Sequence, residues 1–297
     1  MNTNSNSESQ YVIGVDIGGS HVTAGVVDME TRRLLEYAKV RKDVNSKGSR
    51  EHILGTWLAA LREVLKAEFY IEKIAFAMPG PFDYENGIAL ITGLDKFEAI
   101  YGVDVREYIA GQMNLRPENI FFRNDAEAFL HGEMFCGAGA DLEAAIGFTL
   151  GTGFGSAFSQ RGITTDLNFG SYSFKDSIAD DYFSTRWFTR RYMELTGRAV
   201  VNVKDMMKII QQDGSGGEIF REFADNLTLF LHAHLPNYSS RDVILGGNIA
   251  QARNNFLPLL LRSLADRGIK VNFKPAVLNE DAALIGAAAS FEKIVIE

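Results

Sequence analysis

The chain has 297 residues, 46% hydrophobic and 23% charged, with a formal net charge of −8 and one cysteine, Cys136. That composition supports a packed core at a size suited to about two domains and excludes wholesale disorder. The acidic balance without a Lys/Arg-rich run argues against nucleic acid as a partner. One cysteine excludes an intrachain disulfide, and no apolar run nears the ~20 residues that span a bilayer, so no membrane partner is expected.

Residues 1–10, MNTNSNSESQ, are polar and lack the apolar stretch of a secretory signal; they read as a flexible leader of a cytoplasmic protein. Residues 11–28, YVIGVDIGGSHVTAGVVD, read as two strands joined by a tight glycine turn. Residues 50–68 carry apolar positions near a 3.6 period, which predicts an amphipathic helix. KIAFAMPG (73–80) is a short buried strand closed by Pro79 and Gly80, NIFFRND (119–125) a second strand, and AEAFLHGEMF (126–135) a helix. Residues 144–162 repeat the strand, glycine turn, strand pattern. A helix over 221–235, a strand and diglycine turn over 242–252, and an Ala-rich helix over 279–294 complete the chain. The same hairpin thus occurs twice, around 16–20 and 150–156, and suggests two related domains closing on one nucleotide.

Four places carry chemistry. In DIGGS (16–20), Gly18 and Gly19 let backbone N–H groups face a phosphate, Ser20 adds a hydroxyl, and Asp16 can hold hydrated Mg²⁺; the plain alternative is a hairpin turn. Gly151, Thr152, Gly153 and Gly155, followed by Ser156, form a second turn of small residues. Ser156 stands where a dinucleotide fingerprint would need glycine, and the plain alternative is a glycine-rich bulge. Asn124 and Asp125 at a strand end can position a sugar and accept a proton from its hydroxyl, although the spacing to Glu127 equally suits a helix cap. Gly246 and Gly247 can lie flat under a base and ribose, or simply turn a strand into a helix. No Cys/His cluster has zinc spacing, and Arg186, Arg190 and Arg191 read as a solvated helix face.

DIGGS (16–20), MPGPFD (78–83), ND (124–125), LGTGFGS (150–156) and LGGN (245–248) stand in one order, and that ordered set resembles the ROK family of repressors and sugar kinases over roughly residues 11–290. The resemblance implies an α/β fold of the actin-like ATPase type (hexokinase-type, ribonuclease H-like), two domains around a cleft, with residues 11–123 in one domain, 124–279 in the other, and a terminal helix from about 280 returning to the first. It implies ATP and Mg²⁺ as cofactors and a hexose or N-acetylhexosamine as substrate, phosphorylated at the 6-hydroxyl. By position, Asp125 is the base, and Asn124, Gly80, Pro81 and Thr92 hold the sugar. The turns containing Asp16, Gly18, Gly19, Ser20, Gly151, Thr152, Gly153 and Gly155 cradle phosphates, and Gly246 and Gly247 face adenosine. A homodimer is a common assembly in the family.

This chain departs from the family where a Gly-Glu-x-Gly-His segment and a cysteine-rich zinc loop are common. Residues 164–187, TTDLNFGSYSFKDSIADDYFSTRW, contain neither, so no zinc is expected, and Lys175, Asp176 and Ser177 are the candidates to replace the missing sugar contacts. Two other functions belong to the same family: a sugar-responsive repressor, which would carry a helix-turn-helix ahead of the sugar domain, and a catalytically weak sugar sensor. The acidic charge and the short polar start argue against the first; both glycine turns and Asp125 argue against the second, while the missing Glu/His pair argues for it.

Overall fold

The structure, a computed structural model, describes residues 10–65 and 69–292. Most of the leader (1–9), the end of the first predicted helix (66–68) and residues 293–297 lie outside the described residues. The chain forms two units, one running to Cys136 and resuming at Glu280, the other comprising Gly137–Asn279.

In chain order the first unit contains β1 (Tyr11–Ile17), β2 (His21–Asp28), β3 (Arg33–Asp43), α1 (Arg50–Val64), β4 (Ile71–Met78), a small hairpin of β5 (Phe82–Asp83) and β6 (Ile88–Ala89), α2 (Val105–Met113), β7 (Ile120–Asn124) and α3 (Asp125–Cys136). The second holds β8 (Ala144–Leu150), β9 (Phe154–Gln160), β10 (Ile163–Asp166), the hairpin β11 (Ser173–Phe174) and β12 (Ser177–Ile178), α4 (Asp180–Phe183), α5 (Thr185–Thr196), α6 (Val203–Asp213), α7 (Ile219–His234), β13 (Asp242–Gly246), α8 (Arg253–Asp266) and β14 (Asn272–Pro275). The chain then returns to the first unit as α9 (Ala282–Ala289).

The two main sheets have the same plan. Their orders are β3-β2-β1-β4-β7 and β10-β9-β8-β13-β14, each an antiparallel meander of three consecutive strands extended by two parallel ones. The duplicated glycine hairpin of the sequence is therefore the centre of a duplicated sheet. Parallel strands need helical crossovers, and α1 and α2 supply them between β3 and β4 and between β4 and β7.

The strand period of two divides β1 between two cores. Ile13, Val15 and Ile17 face the cluster built on Trp57, Leu58 and Leu61 of α1. Gly14 faces the other way, in register with Gly25 on β2 and Ala75 on β4. This row of small residues forms a trough in which α9 lies directly on backbone: a Cβ on Gly14 would collide with the Leu284 carbonyl. Across α9 the same happens with α3, since a Cβ on Gly286 would overlap the Ala128 carbonyl and one on Gly132 the Ala282 carbonyl. Seven of the eight α9 residues are buried, which explains its Ala-rich composition. Because α3 is bound to α9 this closely, it joins the first unit; the boundary falls after Cys136 and not before Asn124, where the sequence placed it.

The second unit is built around aromatic rings. Phe154, Phe169, Phe183 and Phe230 meet one another at centroid distances of 5.1 to 5.8 Å beneath β8 and β9. Residues 164–187, where the family's sugar and zinc segments are missing, supply two of these rings.

The glycine contact yields a direct test. Gly286→Val forces a branched side chain into the Ala128 backbone, and overpacking of this kind costs about 1–3 kcal/mol. Chemical denaturation should show a lowered midpoint, whereas Gly111→Ala, at a position where a Cβ meets nothing within 4 Å, should leave it unchanged or raised.

Candidate active site

β1, β4 and β7 are parallel, so their carboxyl ends share one edge of the first sheet, where ligands of such sheets bind. Asp16 sits near the end of β1, in register with Ala77 of β4, which in turn faces Arg123 of β7. Gly18, Gly19 and Ser20 follow Asp16, Gly80 and Pro81 follow β4, and Asn124 and Asp125 end β7 and begin α3. The topology thus brings these residues to one edge from three separate parts of the chain.

Asn124 combines both roles its sequence position suggested. Its Oδ1 accepts from the backbone N–H of Ala126 at 2.9 Å and of Glu127 at 3.2 Å, which caps α3. Its Nδ2 donates to the Tyr84 hydroxyl at 3.2 Å, and that hydroxyl donates to the Met78 carbonyl at 3.0 Å. Tyr84, which no motif flagged, therefore ties β4 to β7 beside Gly80. The Gly80-Pro81 peptide is cis, and the Pro81 carbonyl accepts from Leu90 N–H at 3.2 Å. Thr92 is exposed two residues further on. Asp125 is exposed, and its Oδ1 accepts from Ala126 N–H at 2.8 Å.

The turn after Asp16 closes through Gly18 N–H donating to the His21 carbonyl at 2.9 Å, and the His21 ring lies against Gly18. Gly19 is exposed with open space where a Cβ would stand. Burial, and secondly the negative charge of Asp125, push the Asp16 carboxyl up to about 7. Arg41 opposes this, while Glu280 and Asp281 at the start of α9 add to it. A half-buried carboxylate that feels the charge of a second one fits a hydrated Mg²⁺, which one or two carboxylates suffice to hold through water.

In the second unit, parallel β8 and β13 bring their own carboxyl ends together, with Gly246 in register with Thr149. Gly247 has φ +89°, and a Cβ there would overlap the Leu150 backbone, so the diglycine turn is pressed against the chain entering the 151–155 turn. That turn closes by Gly151 N–H donating to the Gly153 carbonyl at 3.0 Å. Thr152 and Gly153 are exposed, and Gly155 begins the return along β9 opposite Thr149.

The three candidates for replacing the family's sugar contacts are engaged within the second unit. Lys175 donates to Asn226 Oδ1 at 2.5 Å, Asp176 accepts from the Tyr182 hydroxyl, and Ser177 donates to Asp181. Their polar groups close the β11–β12 hairpin onto α4 and α7. Arg186, read as part of a solvated face, pairs with Asp180 at 2.5 Å.

The raised Asp16 carboxyl has a measurable sign. Its folded value lies above the ordinary 3.8, so between about pH 4 and 7 the folded chain binds more protons than the unfolded one, and this group's contribution to stability falls as pH rises through that window. In metal-free buffer, Asp16→Asn should raise the melting temperature more at about pH 8 than at about pH 5. An equal effect at both would mean that Asp16 ionises like an exposed aspartate.

Residues 12–168 match the ROK family. The chain is 30% identical to a glucokinase from Thermotoga maritima, with 94% of this chain and 96% of that protein aligned. It is 26% identical to a beta-glucoside kinase from Klebsiella pneumoniae, over 95% and 96%. Its fold matches the crystal structure of a ROK family glucokinase from Streptomyces griseus in complex with glucose and AMPPNP, with a TM-score of 0.71, 22% identity and coverage of 94% and 98%. The two sheets of common order are those of the actin-like ATPase fold, and the chain belongs to the ROK family.

Proposed function

We propose that this ROK-family sugar kinase transfers the γ-phosphoryl group of ATP to the 6-hydroxyl of a hexose or N-acetylhexosamine, with Asp125 as the general base. The observation that carries the reading is the placement of an exposed Asp125 and a half-buried, reluctantly ionised Asp16 at the carboxyl edge of β1, β4 and β7. The likeness to a glucokinase and a beta-glucoside kinase supports a sugar as acceptor.

Asn124 has two amide protons, and one goes to Tyr84; the other is a donor for a sugar hydroxyl. With Gly80, Pro81 and Thr92 it would orient the ring so that the reacting hydroxyl meets Asp125. Asp125 accepts the proton of that hydroxyl as its oxygen bonds the γ-phosphorus and the bond to the bridging oxygen of ADP breaks. Backbone N–H groups of the turns at 18–20 and 151–155, other than those of Gly18, Gly151 and Phe154, which already bond within the protein, would face the phosphate oxygens, and Gly246 and Gly247 the adenosine. Mg²⁺, held through water by Asp16, would supply the positive charge that offsets the transferring phosphoryl group. Reliance on ATP suits a cytoplasmic protein.

The test is Asp125→Asn. The new amide oxygen can still accept from Ala126 N–H, so the fold and the start of α3 should survive. The proton acceptor is lost, and kcat should fall by roughly 10²–10⁴ with sugar affinity by direct titration unchanged. Turnover near that of the parent would remove Asp125 from the role of base.

A further inference from the structure

The turn at 151–155 is held from one side by a segment that no motif connects to it. Asp180 opens α4, yet its carboxylate does not cap that helix. Oδ1 reaches 26 positions back along the chain and accepts from Phe154 N–H at 2.6 Å. The same oxygen stands 3.0 Å from where a Cβ on Gly153 would lie, so Gly153 is glycine partly because Asp180 backs it. Oδ2 is held by Arg186 at 2.5 Å. Five residues beyond Asp180, Thr185 fixes the other end of the turn: its N–H and its hydroxyl both donate to the Gly151 carbonyl at 2.8 Å. On Gly151 itself a Cβ would meet nothing within 4 Å. The turn is therefore backed at Gly153, anchored at Gly151 and open on one face.

We propose that Asp180 is a positioning residue of the nucleotide site, its carboxylate fixing the 151–155 turn in the shape that receives phosphate oxygens. This rests on the reading of that turn as a phosphate cradle. A carboxylate beside bound phosphates is an electrostatic liability unless it is neutralised, and Arg186 on Oδ2 neutralises it. Preorganisation is what the arrangement gains: a cradle of backbone donors binds an anion well only if the donors are already aligned before it arrives. The acidic side chain thus acts on the nucleotide through the Phe154 N–H and the Gly153 backbone, and not by contact with it.

The experiment titrates the full chain with AMPPNP and Mg²⁺ in the absence of sugar, and measures KM for ATP and for sugar separately. Asp180→Ala removes a charge-assisted hydrogen bond to the turn and should weaken nucleotide binding about tenfold or more, raising KM for ATP and leaving KM for sugar unchanged. Asp180→Asn keeps an oxygen that can accept from Phe154 N–H and should recover most of the loss. If Asp180→Ala fails to fold, Thr185→Val, which removes only the hydroxyl contact to Gly151, should shift nucleotide affinity in the same direction by a smaller factor. The proposal is overturned if the alanine variant binds the nucleotide like the parent, if alanine and asparagine lose equally, if Thr185→Val leaves affinity unchanged, or if the sugar KM is what moves. A parent chain that binds no nucleotide would overturn the cradle reading together with this one.

Discussion

Two carboxyl groups at the end of one sheet organise the first unit. Asp16 lies near the end of β1 and Asp125 opens α3 directly after β7, with β4 between the two strands. Left to itself the pair is unfavourable: burial, and secondly the charge of Asp125, raise the Asp16 carboxyl to about 7. The structure accepts this because the parallel register of β1, β4 and β7 allows no other placement for residues at the carboxyl ends. Such an arrangement makes sense where a cation and an attacking hydroxyl meet, and where one carboxylate must stay available as a proton acceptor while the other faces a metal.

The placement of that edge depends on packing at some distance from it. Gly14, Gly25, Ala75 and Ala77 leave a trough, α9 fills it, and α3 closes on α9 through Gly132 and Gly286. α3 begins at Asp125, so the angle at which the candidate base is presented follows from backbone contacts along the rest of that helix. The sheet of the second unit repeats the strand order, but its turn is braced differently. There the support comes from Asp180 and Thr185.

Much of this was legible from the chain itself. The β1–β2 and β8–β9 hairpins stand out because β-branched runs flank glycines, and the ends of β4, β7 and β13 are marked by proline, Asn-Asp or diglycine. The family followed from the order of those marks. β3, with the sequence RLLEYAKVRKD, escaped notice because it is an edge strand with only Ala38 fully buried, so no apolar alternation marks it. The domain boundary was misplaced because Gly132 and Gly286 read as ordinary helix glycines until the two helices are seen in contact. Lys175, Asp176 and Ser177 were singled out for their polarity, and the partners that engage them, Asn226, Tyr182 and Asp181, are fixed by tertiary structure. Tyr84 and Asp180 were missed for the same reason, since each acts on residues 26 or more positions away.

The central claim is chemical: that this edge moves a phosphoryl group to a sugar. Incubating the chain with MgATP and, in turn, glucose, mannose, fructose, N-acetylglucosamine and N-acetylmannosamine, and identifying the products by ³¹P and ¹³C NMR, addresses it directly. The account predicts ADP and a sugar 6-phosphate in equal amounts with at least one of these sugars. ATP left intact with every sugar, or hydrolysed to phosphate without any phosphorylated sugar, would contradict it.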